Sequence, residues 1–420
     1  MSFLKSSPTQ YERKSRMSTS LLYHGFGIRG YQYVRTIYQA GKIIFSITPK
    51  PFSLCCPVCG SKRIKRRGTK TRMFRTVPIG SKPVFIQLPI QRVECPSCDV
   101  VRQVNIQFAD WRRSYTKAFE RYALALSKHM TILDVAKHLD VSWDTIKDIQ
   151  KRYLSKKYKR PRLKHIKRIA IDEISIGKGH RYLTVVLDLK TGAVIFVGDG
   201  KGVDSLKPFF KRLKYSKAKI KAVAIDMSPS YIAAVIENLP ESTIVFDHFH
   251  VVKLLNDKLS ELRREIHREA QGPLQKKVLK GTRWLLLKNS GNLNDQKNEK
   301  QRLDEALRLN KPLAAAYYLK EDLRQVWTQK RKSDAKKILN DWIKKAQSTG
   351  IAILQKFSKT LAAHAFGILN YYDYPISTGP LEGTNNKIKT LQRQAYGYRD
   401  MEFFKLKIFG LHESNYALVG

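Results

Sequence analysis

The chain has 420 residues, of which 42% are hydrophobic, so it is long enough to bury the cores of about two to four domains. Its 79 Lys and Arg residues outnumber 35 Asp and Glu residues and give a formal net charge of +44 at pH 7. Few folded proteins tolerate such self-repulsion unless a polyanion neutralises it, so nucleic acid is the first partner to consider. The alternative is a solvated basic surface on a protein from an acidic or salty environment.

The N-terminal stretch MSFLKSSPTQYERKSRM contains no apolar run of signal-peptide length. No segment approaches the roughly 20 apolar residues of a membrane span, so we expect a cytoplasmic protein without a membrane partner. Thiols stay reduced in the cytoplasm, and the five cysteines are then better explained as metal ligands than as disulfides.

Two CxxC motifs follow an N-terminal segment, residues 1–50, in which a strand is predicted over Lys42–Pro49. Zinc prefers four thiolates in a tetrahedron, and each motif supplies two. The strand-like sequence between the motifs predicts a zinc ribbon over residues 51–115 with one structural zinc ion, although its loop is longer than the usual length of about 15–20 residues. Free buried cysteines are the alternative, and Cys55 could compete with Cys56. The predicted ligands are Cys56, Cys59, Cys95 and Cys98.

A cluster of basic residues lies between the two motifs. Such a cluster is suited to contact DNA phosphates. Its members are Lys62, Arg63, Lys65, Arg66 and Arg67.

Residues 116–162 show the pattern of two helices joined by a short turn, followed by a basic linker. Apolar residues from Ile132 to Leu139 fall on one helical face, and Asp140-Val141-Ser142 breaks the pattern with Ser142 as a predicted N-cap. Trp143, Ile146 and Ile149 continue the apolar face on the next helix. This helix carries basic residues, which favours a DNA-binding helix-turn-helix over an ordinary αα-hairpin. The basic residues are Lys147, Lys151 and Arg152.

From residue 163 the pattern changes to three strands, a helix, a strand, a helix and a strand, an order typical of an RNase H-like α/β domain. We place the first part of this domain at 163–250, a helical insertion at 251–374 and the second part at 375–420. The predicted fold class is therefore multidomain α+β. Trp284 lies in the insertion, where it could stack on a base, although its leucine neighbours favour a core position.

Three acids stand at positions where carboxylates could converge. Asp172 lies within the first strand and Asp226 at the end of the fourth, and these strands are neighbours in an RNase H-like sheet. Glu382 begins a later helix that can pack against the same edge. Three such oxygen ligands suit two Mg²⁺ ions, with Mn²⁺ as a substitute. Taken singly, Asp172 could be a buried hydrogen-bonded acid and Asp226 a turn residue. Glu382 could be a helix cap, since it is the third helical residue if Pro380 is the first.

The helix of Glu382 has two different sides. Asn386, Lys389 and Arg393 follow on the side of the carboxylate and are predicted to contact DNA. An apolar stripe, Leu381, Ile388 and Leu391, is predicted to pack on the domain.

Asp247, His248 and His250 come just after the fifth strand. Asp247 and His250 are candidates for support of the active site. The alternative is that these side chains cap the end of the strand and bond locally.

Four segments resemble the DDE transposases of the bacterial ISL-three group of insertion sequences: IAIDEISIGKGHRYLTVVLDLKTG, AIDMSPSYIAAVIENLP, VFDHFHVVKLLN and YPISTGPLEGTNNKIKTLQRQAYGYRD. That family also carries an N-terminal CxxC zinc finger and a helix-turn-helix. The resemblance covers nearly everything from Cys56 onward. It implies that Asp172, Asp226 and Glu382 are the catalytic triad of a cut-and-join reaction at element ends.

The sequence therefore predicts a bacterial, nucleoid-associated transposase that acts on double-stranded DNA at element ends and target. Synapsis of two ends implies at least a dimer. One alternative is a DNA-binding regulator derived from a transposase, which the intact acidic set argues against. A structure-specific RNase H-like nuclease is the other, and the separate DNA-reading modules argue against it.

Overall fold

The structure is a computed structural model, and it describes residues 21–50, 54–177, 179–270 and 272–413. The chain forms two compact units that divide between Lys156 and Lys157. Residues 1–20 of the predicted N-terminal segment, residues 51–53 of the predicted ribbon and residues 414–420 of the predicted last domain lie outside the described ranges.

The N-terminal unit begins with a mixed sheet. Its elements are α1 (Leu21–His24), β1 (Tyr31–Gln39), β2 (Lys42–Pro49), β3 (Lys65–Ile79), β4 (Lys82–Cys95) and β5 (Val100–Gln103). The strand order is β1-β2-β4-β3, and β5 pairs with β4. The predicted strand Lys42–Pro49 is confirmed. Because β2 runs parallel to β4, with Ile43 opposite Val84, the strands before the first cysteine pair extend the sheet of the ribbon.

Three helices complete this unit: α2 (Lys117–Leu126), α3 (Ile132–Leu139) and α4 (Trp143–Tyr158). Asp140 takes a left-handed conformation (φ 51°) that ends α3. The Ser142 hydroxyl accepts a hydrogen bond from the Thr145 N–H (3.2 Å), which confirms the predicted N-cap. Ile146 is fully buried. Trp143, predicted on the same apolar face, is instead 42% exposed, because it begins α4 outside the three-helix core.

A buried arginine joins the sheet to these helices. The Arg75 guanidinium of β3 donates to the Leu139 carbonyl at the end of α3 (2.7 Å) and lies 5.0 Å from the Phe85 ring centroid. Burial lowers the pKa of Arg75. The carbonyl end of a helix is a favourable partner for a cation, which offsets part of the desolvation.

The C-terminal unit contains the second sheet. Its elements are β6 (Arg168–Gly177), β7 (Arg181–Asp188), β8 (Val194–Asp199), α5 (Val203–Ser216), β9 (Ala222–Ile225), α6 (Pro229–Asn238) and β10 (Thr243–Phe246). The strand order is β10-β9-β6-β7-β8; β10, β9 and β6 are parallel, whereas β7 is antiparallel to both its neighbours. The predicted succession of strands and helices is confirmed, and so is the pairing of the strands that carry Asp172 and precede Asp226.

Helices follow β10 up to the end of the described chain. They are α7 (His248–Glu269), α8 (Pro273–Gly281), α9 (Arg283–Leu287), α10 (Glu299–Leu309), α11 (Lys311–Arg324), α12 (Lys332–Ser348), α13 (Ala352–Ala363), α14 (Ala365–Leu369), α15 (Gly379–Gln394) and α16 (Met401–Phe409). The Asn370 side chain donates to the Ile244 carbonyl (2.9 Å), which fixes the end of α14 on β10. None of the described helices has both the length and the apolar character needed to cross a membrane.

Alternation along β6 divides the core between the two faces of the sheet. Ile169 and Ile171 pack in one cluster with Phe209 of α5 and Leu255 of α7. Ala170 and Ile174 point to the opposite face, where the second cluster contains α15 and α16. The side chain of Asp172 is on this second face, because it is two residues from both Ala170 and Ile174.

Candidate active site and zinc site

Two of the three predicted catalytic acids lie at matching positions on paired strands. Ala170 of β6 is the register partner of Ala224 of β9. Two residues further along each strand direction are Asp172 and Asp226. Asp226 directly follows β9, and its Oδ1 accepts a hydrogen bond from the Ser228 N–H (3.1 Å). Both carboxylates are therefore held at the same end of the sheet.

The electrostatics of Asp172 disfavour its charge. Burial raises the pKa of Asp172, and the negative charges of Asp226 and Glu173 raise it further. A hydrogen bond from the Glu173 N–H (2.8 Å) and the nearby His250 act in the opposite direction. A cation bound beside these acids would relieve the repulsion between them, as divalent ions do in carboxylate sites.

Glu382 lies on α15, which packs on the same face of the sheet as Asp172. Thr378 is the N-cap and Gly379 the first helical residue, so Glu382 is the fourth. The predicted third position is wrong by one residue, because the helix begins at Gly379 rather than at Pro380. Glu382 is exposed, and its carboxylate makes no hydrogen bond or ion pair within the described residues. The capping alternative is therefore not realised in this structure.

The three acids are not gathered into a compact cluster. Within the described ranges, the one group of three or more His, Cys, Asp or Glu side chains close enough to share an ion is formed by cysteines. Asp172 and Asp226 sit at neighbouring strand positions, while Glu382 sits on the helix that covers them. Their assignment as metal ligands stays a prediction.

A residue that the sequence pattern did not single out connects α15 to Asp172. Asn385 is only 9% exposed, and its Nδ2 donates to Asp172 Oδ2 (2.8 Å). Its Oδ1 is buried without a partner in the described chain. A signal was available, because Asn385 falls between Leu381 and Ile388 on the predicted apolar stripe, and a polar group there must find a partner.

Asp247 forms a second connection to α15. It is the N-cap of α7, and it accepts hydrogen bonds from His248 Nδ1 (3.2 Å) and from the hydroxyl of Thr378. Burial would raise the pKa of Asp247, but these hydrogen bonds outweigh it and hold the pKa below its ordinary value. Asp247 thus caps the start of α7 rather than the end of the strand, and its bond to Thr378 is not local but reaches the start of α15. His250 is half-buried near Asp172.

The other residues singled out on α15 and in the insertion are either clearly buried or clearly exposed. The apolar stripe is confirmed: Leu381, Ile388 and Leu391 are buried. The opposite side is exposed at Asn386, Lys389 and Arg393. The core position expected for Trp284 is wrong, since the ring is 67% exposed while Leu285 and Leu286 fill the core. A helix as short as α9 has one inward face, which the leucines occupy, and the Trp284 ring instead lies 4.9 Å from the Arg283 guanidinium.

The four predicted zinc ligands converge in the N-terminal unit. Their ligand atoms all lie within 4.8 Å of one another, and Cys55 is not among them. The Sγ separations are 3.8 Å for Cys56–Cys98, 3.6 Å for Cys59–Cys95 and 3.6 Å for Cys95–Cys98. Four sulfurs about 2.3 Å from one zinc ion would be about 3.8 Å apart in a regular tetrahedron, so the site fits zinc. Backbone N–H groups, first that of Cys59, lower the pKa of Cys56 to about 6.

The predicted DNA-contacting residues of the N-terminal unit differ in their exposure and in their contacts within the unit. Lys62, Arg63, Lys65 and Arg66 are exposed, whereas Arg67 pairs with Glu94. Arg152 bonds to Glu120 (2.6 Å) and lies 3.5 Å from Asp110, so its guanidinium holds the helices together. The Lys147 ammonium lies 5.2 Å from the Trp143 ring centroid, and Lys151 is half-buried.

Comparison with known families defines the class of the protein. The ISL3 family model of DDE transposases, described as "Transposase", matches residues 169–408. The helix-turn-helix domain of transposase family ISL3 matches residues 104–154, and the zinc-finger of transposase IS204/IS1001/IS1096/IS1165 matches residues 54–98. The protein is a DDE transposase with a DNA-binding helix-turn-helix and a zinc finger.

The relatives agree with this class. The transposase for insertion sequence element IS1001 of Bordetella parapertussis is 33% identical over 92% of this chain and 95% of its own length. The transposase for element IS1557 of Mycobacterium tuberculosis is 29% identical over 86% of both chains. The chain belongs to the ISL3 family, the ISL-three group, of insertion-sequence transposases. The Drosophila P element transposase strand transfer complex has 11% identity and a TM-score of 0.38 over 74% of this chain and 95% of that chain, too low a likeness for an argument.

Removal of zinc should unfold the zinc-finger region. We expect a strong chelator, or Cys59→Ser, to abolish zinc binding, lower the melting temperature and reduce DNA affinity, because structural zinc supplies folding free energy directly. Zinc content measured by mass spectrometry checks the site. Cys55→Ser is the matched control and should keep one zinc per chain; protein purified without chelators that contains no zinc would contradict the four-thiolate site.

Asn385→Leu should weaken metal-dependent activity without unfolding the protein. Leucine keeps the volume but removes the N–H donor that holds Asp172, and loss of such a supporting bond typically costs about 10- to 100-fold. We expect slower strand cleavage and a higher Mg²⁺ concentration for half-maximal rate, measured on nicked products. The control is Asn386→Leu, one residue away and exposed, which should leave the Mg²⁺ requirement unchanged. An Asn385→Leu protein with wild-type Mg²⁺ dependence would remove Asn385 from the site.

Proposed function

We propose that this transposase binds the terminal inverted repeats of its insertion sequence and cleaves and transfers DNA strands with Asp172, Asp226 and Glu382. The observation that supports the assignment best is that Asp172 and Asp226 each lie two residues beyond the paired Ala170 and Ala224, with α15 bound directly to Asp172. The second sheet, in which β9 and β6 are parallel and β7 is antiparallel to its neighbours, supports an RNase H-like domain. The helices from α7 to α14 support a helical insertion within that domain.

Three carboxylates form a donor set that suits Mg²⁺, and Mn²⁺ would substitute. Asp172, Asp226 and Glu382 would hold two ions, which when bound supply an activated oxygen nucleophile and stabilise the leaving oxygen of a phosphodiester. The chain itself contributes position: Asn385 holds the Asp172 carboxylate, and Asp247 holds Thr378 at the start of the helix that bears Glu382. The buried, unpartnered Asn385 Oδ1 supports a further group or water in this site.

DNA recognition is assigned to the N-terminal unit. The start of α4, with Trp143 exposed beside Lys147, is the part of a helix-turn-helix that reaches base edges in the major groove. The exposed cluster Lys62, Arg63, Lys65 and Arg66 would contact phosphates only. Both element ends must be brought together for transposition, so the active form would be at least a dimer, working at the bacterial nucleoid.

Conservative replacement of each acid tests the triad. Asp172→Asn, Asp226→Asn and Glu382→Gln should each abolish strand cleavage with Mg²⁺ while leaving the affinity for end DNA nearly unchanged, because the amide keeps the shape and loses the charge that holds the ion. Cleavage of a duplex that carries the flanking terminal repeat measures the first effect, and a gel-shift titration the second. Wild-type cleavage by any one variant would show that its residue is not a metal ligand.

Two sets of substitutions in the full-length protein separate sequence reading from charge. Changing Lys62, Arg63, Lys65 and Arg66 to Gln should weaken binding to terminal-repeat and scrambled duplexes alike. It should also flatten the salt dependence by about 0.9 in log–log slope for each phosphate that the protein no longer neutralises. Trp143→Ala should mainly reduce the preference for the terminal repeat. Equal affinity of the wild-type protein for the two duplexes would refute end recognition.

A further inference from the structure

Tyr396 combines two features that rarely occur together. Its side chain is completely exposed, with a relative accessibility of 101%, and its backbone is left-handed with φ 50°. The side chain makes no hydrogen bond or ring contact within the described residues. A single exposed aromatic ring is ordinary by itself, so it is its combination with a left-handed backbone that calls for an explanation.

The backbone geometry is that of a helix end at which glycine is the usual residue. The Gly397 N–H bonds to the Gln392 carbonyl (2.9 Å) and the Tyr396 N–H to the Arg393 carbonyl (3.1 Å), which together close the last turn of α15. In this motif the residue with positive φ is most often glycine, because a Cβ atom is disfavoured there. Tyrosine at this position therefore reduces stability relative to glycine, and strain of this kind concentrates at functional sites.

The chain is anchored on both sides of Tyr396. Tyr398, two residues further on, stacks on Phe404 of α16 with ring centroids 4.5 Å apart. The helix before it is anchored by the buried Leu391. The backbone at Tyr396 is therefore positioned by packed residues on both sides.

Tyr396 follows the end of α15, whose exposed side begins with Glu382. Exposed residues spaced three or four apart lead along the helix toward that end: Glu382, Asn386, Lys389 and Arg393. The helix rises about 1.5 Å per residue, so its last residue, Gln394, lies about 18 Å along the axis from Glu382, which corresponds to about five base pairs of B-DNA at 3.4 Å each. A basic side that ends in an exposed aromatic ring is the combination that binds DNA strands through phosphates and bases.

We propose that Tyr396 stacks on a nucleobase about five base pairs from the scissile phosphate, where the strand is kinked or unpaired. This inference rests on the proposed catalytic role of Glu382, which sets the position of the scissile phosphate at the start of α15. The contact holds the DNA along the helix and fixes which phosphate reaches the acids.

Substitutions at Tyr396 give opposite expectations for a structural and a DNA-contacting role. In the full-length protein, Tyr396→Gly relieves the left-handed strain, so the melting temperature should stay equal or rise. Binding to end DNA and the rate of strand cleavage should fall by roughly tenfold, since one base stack is removed. Tyr396→Asn, which also tolerates this conformation, should behave like the glycine variant, and Tyr396→Phe should retain wild-type activity. Tyr215→Ala is the control, because Tyr215 is 79% exposed on α5 with ordinary backbone geometry.

A scan of single abasic sites through the duplex locates the partner base. One abasic position about five base pairs to one side of the cleavage site should reduce the affinity of the wild-type protein to that of Tyr396→Gly, and should have no effect on the variant. Wild-type binding and cleavage by Tyr396→Gly would overturn the inference, as would an abasic scan without such a position. Loss of self-association in place of DNA affinity would assign Tyr396 to an interface between copies and also overturn it. If the wild-type protein itself fails to cleave, or Asp172→Asn still cleaves, the proposed catalytic site fails instead.

Discussion

The candidate active site depends on how a half-buried carboxylate on the central strand of a sheet is compensated. Asp172 lies in β6 between strands on both sides, a position that ordinarily takes an apolar residue. Each of its oxygens accepts one hydrogen bond, from the Glu173 N–H and from Asn385, both 2.8 Å long. Burial, together with the charges of Asp226 and Glu173, still raises the pKa of Asp172. A cation bound beside these acids would relieve the repulsion between them.

The hydrogen bond that Asn385 donates to Asp172 also helps to fix the position of α15. Polar contacts hold the helix at three levels: Thr378 to Asp247 at its start, Asn385 to Asp172 in its middle, and Gln392 to the Ile176 carbonyl near its end. Apolar contacts alone would allow the helix to slide or rotate, whereas directional bonds to two different strand ends fix its register. The consequence appears on the opposite side of the helix. Glu382 and the basic residues that follow it are forced outward in a fixed order, although their own side chains are not packed.

Features that depend on local pattern could be predicted from the sequence. The succession of strands, the start of α4 at Ser142 and the four cysteines follow from periodicity, capping and spacing, each of which involves residues close in the chain. Features that depend on packing at a distance are not predictable in this way. In the sequence Asn385 and Asn386 are an equivalent polar pair, and only the half-buried partner Asp172, far earlier in the chain, distinguishes them. Trp143 and Trp284 have apolar neighbours in sequence, yet both rings are exposed. Apolar neighbours alone do not predict which residue of a short helix, or of a helix start, packs in the core.

The positive side chains of the N-terminal unit differ in how they are engaged. Some are paired or buried within the unit, as with Arg67 on Glu94, Arg152 on Glu120 and Arg75 on the Leu139 carbonyl. Arg75 has a particular consequence, since it joins the strand next to the zinc ligands to the helix before α4. If the sheet and the helices separated, this bond would be lost and the guanidinium would be exposed to water. The bond to the Leu139 carbonyl therefore couples the position of α3 to that of β3 within the N-terminal unit.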